Sequence, residues 1–91
     1  MARATNSEQV LDALKGILGK YGLSYKDDSD EDIPRKIIQR DGKEVARVTF
    51  VSPGRLEIMV FNRNERTVIN DIAEDVRDKF DGLTYKFTRG Y

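Results

Sequence analysis

Residues 33–62 read IPRKIIQRDGKEVARVTFVSPGRLEIMVFN, and this stretch predicts three consecutive strands folded back on one another. Near its centre lies Asp41-Gly42, a dipeptide that strongly favours a two-residue turn between antiparallel strands. Alternating apolar residues flank the turn on both sides, as expected for strands with one buried face. The chain is therefore predicted to fold around a three-stranded antiparallel meander.

The Asp-Gly turn also predicts the register of the first hairpin. A regular two-residue turn places Arg40 opposite Lys43, and further pairs follow one residue at a time. The predicted pairs are Ile38 with Val45, Ile37 with Ala46, Arg35 with Val48 and Ile33 with Phe50. On this register Ile38 and Val45 lie on the outer face of the sheet.

The register of the second hairpin follows from whether its loop contains an odd or an even number of residues. One face of the middle strand and one face of the third strand are apolar, and they coincide only if the connecting loop has odd length. Ser52-Pro53-Gly54 as a three-residue loop meets this condition. The resulting inner face pairs Phe50 with Leu56, Val48 with Ile58 and Ala46 with Val60.

A helix is predicted on each side of the meander. The first begins at overlapping capping-box spacings within Thr5–Gln9 and ends at Gly22, and close packing against the sheet would account for Gly16 and Gly19. The second begins near Asn62, whose spacing to Glu65 suits a capping box, and runs to about Phe80. The apolar stripes of the two helices are Val10, Leu11, Leu14, Ile17, Leu18 and Tyr21, then Val68, Ile69, Ile72, Ala73, Val76 and Phe80.

Two further strands complete the prediction. Residues 23–26 alternate and could form a short edge strand, with Leu23 and Tyr25 directed inward. Leu83, Tyr85 and Phe87 predict a C-terminal strand, which lies either parallel beside the third meander strand or antiparallel beside residues 23–26.

The predicted fold class is a two-layer α+β sandwich in a single domain over residues 1–91. A mainly antiparallel sheet of four or five strands carries two helices on one face, in the order α-β-β-β-β-α-β, with the first strand uncertain. The other face of the sheet stays open, because both helices are amphipathic and cover the same side.

Composition argues against most enzymatic chemistry. The chain has no histidine and no cysteine, so the usual general bases, thiol nucleophiles and thiolate metal sites cannot be built. The acidic residues between Asp27 and Asp32 lack the spacing of a calcium loop and predict a solvated segment. We therefore expect no enzyme activity, no cofactor and no metal. No membrane span or signal sequence is recognised, and a cytoplasmic location is expected.

The outer face suggests a binding role. Its predicted residues include an unusual apolar group beside two charges, and the candidate partner-binding residues are Ile38, Val45, Arg47, Glu57, Met59 and Phe61. This pattern predicts an adaptor, chaperone-like or inhibitor protein that binds a protein partner or forms a homodimer. The alternative is a nucleic-acid-binding domain that uses Lys36 and Arg47, predicted neighbours on this face, beside Phe61. For nucleic acid, only weak binding is expected, since few phosphates would be contacted.

Overall fold

A computed structural model describes residues 2–3, 7–27, 34–51 and 54–91. Two helices lie on one face of a five-stranded sheet, which confirms the predicted two-layer α+β fold. The helices are α1 (Ser7–Lys20) and α2 (Arg66–Arg77), the second preceded by a 3₁₀ turn over Arg63–Glu65. The strands are β1 (Ala2–Arg3), β2 (Ser24–Asp27), β3 (Arg35–Arg40), β4 (Lys43–Val51), β5 (Arg55–Val60), β6 (Phe80–Asp81) and β7 (Thr84–Arg89). The sheet order is β2-β3-β4-β5-β7, and β1 pairs separately with β6.

The second hairpin has the predicted register. Strand β4 ends at Val51 and β5 begins at Arg55, so the loop contains three residues, of which Ser52 and Pro53 lie outside the described part of the chain. The inner-face pairs are those predicted, namely Phe50 with Leu56, Val48 with Ile58 and Ala46 with Val60. Parity alone was sufficient here because β4 from Ala46 onward and β5 alternate without interruption.

The first hairpin differs from the predicted register because of a bulge. Asp41 and Gly42 both have positive φ, 52° and 81°, and Arg40 pairs with Lys43, as expected for an Asp-Gly turn. Between Ile38 and Gln39 the register then shifts, and Val45 is the extra residue on β4. The observed pairs are Ile38 with Ala46, Ile37 with Arg47, Lys36 with Val48 and Arg35 with Thr49. The predicted pairs beyond the turn are therefore wrong, and the predicted partner of Ile33 lies outside the described residues.

The bulge reverses the faces of the first strand. Ile38 and Val45, expected on the outer face, are only 0% and 3% exposed and belong to the hydrophobic core. Ile37 takes the place on the outer face instead, in register with Arg47. The physical reason is burial, since the extra residue brings two large apolar side chains out of water at the cost of one irregular ladder position.

Strand β7 lies parallel beside β5, which resolves the alternative that the sequence left open. Helix α2 makes the crossover that a parallel pair needs. The helix is shorter than predicted, because it ends at Arg77 while Phe80 pairs in β6 and still packs in the core. Its start also differs from the prediction, because Asn62 caps the preceding 3₁₀ turn, where its side chain accepts a hydrogen bond from the Asn64 backbone N–H at 3.0 Å. Helix α2 itself begins at Arg66, and Glu65 before it makes no side-chain capping bond.

Helix α1 ends as predicted, but its glycines do not pack as predicted. Gly22 has φ of 72°, and the Leu23 N–H donates to the Leu18 carbonyl at 3.1 Å, which completes a Schellman motif. Gly16 and Gly19 are exposed, and a Cβ added at either would meet nothing within 4 Å. The expectation of close packing at these two positions is therefore wrong. The predicted cap residues Thr5 and Asn6 lie outside the described residues.

The helices are joined to the sheet and to each other on the inner face. Tyr21 at the end of α1 donates its hydroxyl hydrogen to Asp75 of α2 over 2.7 Å, and this bond raises the pKa of Tyr21. The rings of Tyr85 and Phe87 meet edge to face at 5.4 Å on β7, beneath α2. The helix layer is thereby fixed over one face of the sheet, and the other face is left uncovered by the helices.

Candidate functional site

The open face is the side of the five-stranded sheet that neither helix covers. Its residues follow from alternation and register, in rows that cross the strands. One row contains Lys26, Ile37, Arg47, Met59 and Thr88, and the next contains Arg35, Thr49, Glu57 and Lys86. Val51, Arg55 and Thr84 form a third row at the end of the sheet near Gly54.

Four of the six predicted partner-binding residues lie on this face. Arg47, Glu57, Met59 and Phe61 are half-buried there, whereas Ile38 and Val45 lie in the core as described above. The predicted apolar strip is therefore smaller than expected. Ile37, which the sequence reasoning placed on the inner face, is part of the open face and is 7% exposed.

Arg47 and Met59 form the centre of the face. They are directly opposite each other on β4 and β5, and Nη2 of Arg47 lies 3.8 Å from the Met59 sulfur. The stem of an arginine can cover apolar surface while its guanidinium stays accessible, which explains why Met59 is half-buried on an open face. The guanidinium and the Met59 side chain are therefore presented together at the centre of the face.

The open face is richer in cations than the sequence reasoning recognised. Lys26, Arg35, Arg55 and Lys86 join Arg47 on it, and none of these four was predicted as a site residue. A usable signal was present in β7, where Thr84, Lys86 and Thr88 alternate with the apolar inner residues. In β3 the signal was obscured, because the bulge exchanged the faces of Arg35 and Lys36.

Lys36 is not on the open face, contrary to expectation. It lies opposite Val48 at the inner edge of the sheet and donates a hydrogen bond to the Asp27 carboxylate. This bond lowers the pKa of Asp27. The basic patch proposed for nucleic acid, Lys36 beside Arg47, is consequently divided between two faces.

Phe61 lies at one end of the open face under the C-terminal residues. The Gly90 N–H donates to the Val60 carbonyl at 2.7 Å, and a Cβ added at Gly90 would come within 2.6 Å of the Phe61 ring and 2.9 Å of Cγ of Met59. Tyr91 follows and is 49% exposed. The backbone at Gly90 therefore covers part of the apolar end of the face and leaves the cationic centre accessible.

A shallow pocket of about 270 Å³ lies at the tip of the first hairpin, separate from the open face. Arg40 spans it in an ion pair with Glu65, which anchors the hairpin to the 3₁₀ turn. The other lining residues are Asp41, Lys43, Val45 and Asn62. The opposite charges already satisfy each other, so the pocket offers no excess charge for a ligand.

Among the described residues, no group of three or more His, Cys, Asp or Glu side chains is arranged to hold a metal ion. Neither α1 nor α2 is long and apolar enough to cross a membrane. Most of the acidic run between Asp27 and Asp32 lies outside the described ranges, where its predicted role stays a prediction.

Comparison with known proteins adds no relative. No family model matches the chain, and no curated protein and no solved structure matches it.

Proposed function

We propose that this protein is a non-catalytic binding module that recognises a protein partner through the open sheet face. The observation that supports the proposal most directly is the Arg47–Met59 pair at the centre of that face. Arginine and methionine are both enriched at protein interfaces, the former for its planar hydrogen-bonding group and the latter for its adaptable packing. Here they lie on rigid strands rather than on loops, so the surface is preorganised.

The residues around this pair favour a protein partner over nucleic acid. Glu57 lies within the face between the cations and would repel a phosphate backbone, which carries a negative charge at every nucleotide, whereas a protein segment can place a neutral residue there. The centre also lacks the aromatic rings on which sheet-type RNA-binding proteins stack bases, since Phe61 lies at one end beneath Gly90. A protein segment could instead supply both an apolar contact for Met59 and opposite charge for Arg47.

The charge of the face also bears on self-association. A symmetric dimer with sheet against sheet would bring two faces of the same sign together. Among the described residues of the face, Glu57 and Glu44, which lies opposite Gln39 near the hairpin tip, could offset part of the repulsion. We therefore favour a different protein as the partner of the open face. A homodimer through this face is the second candidate.

The proposal can be tested by affinity capture from a lysate with three immobilised variants. The wild-type protein is compared with Arg47→Glu, which reverses the central charge, and with Lys79→Glu, a matched reversal at an exposed residue after α2. We expect the same proteins to be retained by the wild type and by Lys79→Glu, and to be lost with Arg47→Glu. Circular dichroism and urea unfolding establish that all three are folded.

Two results would contradict this assignment. If Arg47→Glu retains the same proteins as the wild type, the open face does not bind them. If the retained material is mainly nucleic acid and is lost with Arg47→Glu, the nucleic-acid alternative takes its place. Light scattering over a range of concentrations reports the homodimer separately.

A further inference from the structure

The open face concentrates positive charge in a chain whose formal net charge is +0. Among the described residues of the face, five are cationic and two are acidic. The cations are Lys26, Arg35, Arg47, Arg55 and Lys86, and the acids are Glu44 and Glu57. The net charge of the chain is zero, but the open face has a local positive potential that would attract an anionic partner.

The two carboxylates are already engaged on the face. Glu44 accepts from Lys26 at 3.0 Å, and Glu57 lies 3.4 Å from Arg55. Within the described ranges, no carboxylate lies within ion-pair distance of Arg47 or Lys86. Arg35, the remaining cation of the face, also has an interaction partner. Arg47 and Lys86 are consequently the two cations whose charge a partner can neutralise.

Register fixes the spacing between them. Arg47 lies on β4 and Lys86 on β7, with β5 between, and they are offset by two residues along the strands. Strands about 4.8 Å apart and a rise of about 3.3 Å per residue separate the two Cα positions by about 12 Å. Met59 and Glu57 both lie between them on β5. Met59 is directly opposite Arg47, and Glu57 is directly opposite Lys86, with its carboxylate 3.4 Å from Arg55.

An extended peptide matches this arrangement. Its residues i and i+4 point to one side and lie about 13 Å apart, with residue i+2 between them on the same side. We propose that the open face binds an extended protein segment in which two acidic residues, four apart, flank a central apolar residue. The acidic residues pair with Arg47 and Lys86, and the apolar residue packs on Met59. This inference rests on the proposed function and adds the chemistry of the partner.

The test uses fluorescent 12-residue peptides of defined composition. The first contains Glu-Ser-Leu-Ser-Glu at its centre, the second replaces both glutamates by lysine, and the third replaces leucine by serine. A 12-nucleotide oligouridine is the fourth probe. Fluorescence anisotropy is measured with the full chain at low and at physiological salt, since steering by charge weakens as salt rises.

We expect the acidic peptide to bind, the leucine-to-serine peptide to bind more weakly and the lysine peptide not to bind. The double variant Arg47→Glu with Lys86→Glu should weaken binding of the acidic peptide by about tenfold or more. It should also gain affinity for the lysine peptide, because the charge complementarity is exchanged. Lys79→Glu should bind all probes as the wild type does.

The inference is overturned if the acidic peptide does not bind, or binds the wild type and the double variant equally. It is also overturned if oligouridine binds more tightly than the peptide and is lost in the double variant. Either result leaves the use of the open face to be judged by the lysate capture with Arg47→Glu, which presupposes no particular peptide sequence. The two proposals therefore fail in different experiments.

Discussion

The same strands present two faces with opposite chemical character. On the inner face, Val48, Ile58 and Val60 are buried beneath the two helices, together with the apolar stripes of α1 and α2. On the open face, their immediate neighbours Arg47, Thr49 and Met59 are half-buried and mostly polar. Burial constrains the inner face closely, whereas folding alone does not require the cations of the open face. The apolar residues of the inner face are thus explained by burial, whereas the cations of the open face are not.

The largest expected difference in stability is between alanine substitutions at two consecutive residues of β5, one on each face of the sheet. Ile58 is 2% exposed on the inner face, and Ile58→Ala should lower the free energy of unfolding by about 2–5 kcal/mol through lost burial and a cavity. Met59→Ala, on the open face, should cost about 1 kcal/mol or less, as half-exposed positions usually do. Urea unfolding monitored by circular dichroism measures both. A cost for Met59→Ala equal to that of Ile58→Ala would show that the open face is covered in solution.

The next largest expected loss of stability is at the end of the open face, where Gly90 lies over Phe61. Gly90→Ala would place a methyl group within 2.6 Å of the Phe61 ring and 3.0 Å of the Val60 carbonyl oxygen. We expect a loss of about 1 kcal/mol, at the lower end of the usual cost of overpacking. Hydrogen exchange should show faster exchange at the Gly90 position, whose N–H bonds to Val60. Unchanged stability with unchanged exchange would mean that the chain does not pack on Phe61 in this way.

A glycine on the outer side of α1 provides a matched control for the Gly90→Ala substitution. Gly16 is exposed, and an added Cβ there meets nothing within 4 Å. Gly16→Ala should therefore raise the free energy of unfolding by up to about 1 kcal/mol, because alanine is the better helix former. Thermal and urea unfolding report the gain. A loss of stability instead would show that α1 packs against something on this side.

The smallest effect lies at the border between the two faces, where Lys36 bonds Asp27. The bond lowers the pKa of Asp27, so its contribution to stability is fully present above the ordinary carboxyl pKa. The contribution is lost as the pH falls through the lowered pKa. Asp27→Asn should therefore destabilise the protein slightly at neutral pH and have no effect in strong acid. Urea midpoints at both pH values measure this, and a loss of stability that is equally large in strong acid would contradict it.

The limits of sequence prediction are visible in the two hairpins. The register of β4 with β5 followed from alternation, because Phe50, Val48 and Ala46 each meet an apolar residue across the three-residue loop. The register of β3 with β4 did not, because a turn sequence specifies the tip of a hairpin and not a bulge beyond it. Two consecutive apolar residues, Val45 and Ala46, were the available signal, since both become buried only if the strand is irregular there.

The wrong register of the first hairpin also affected the predicted site, because it placed Ile38 and Val45 on the open face. Arg47, Glu57, Met59 and Phe61 were placed correctly because β4 beyond the bulge and β5 alternate regularly. The cations of β3 and β7 required two facts that the sequence did not supply: the face of Arg35 and the position of β7 beside β5. Long-range strand order depends on the packing of α2 as a whole and not on local residue pattern.

The position of β7 has a consequence for solubility. Within the described part of the chain β7 pairs only with β5, so its other edge presents unpaired backbone groups over Thr84–Arg89. Such edges invite aggregation between copies, and charged side chains along them are a common safeguard. Lys86 and Arg89 supply that charge on opposite faces of the strand. Lys86 would thus serve the molecule twice, once toward a partner on the open face and once against edge-to-edge association with its own kind.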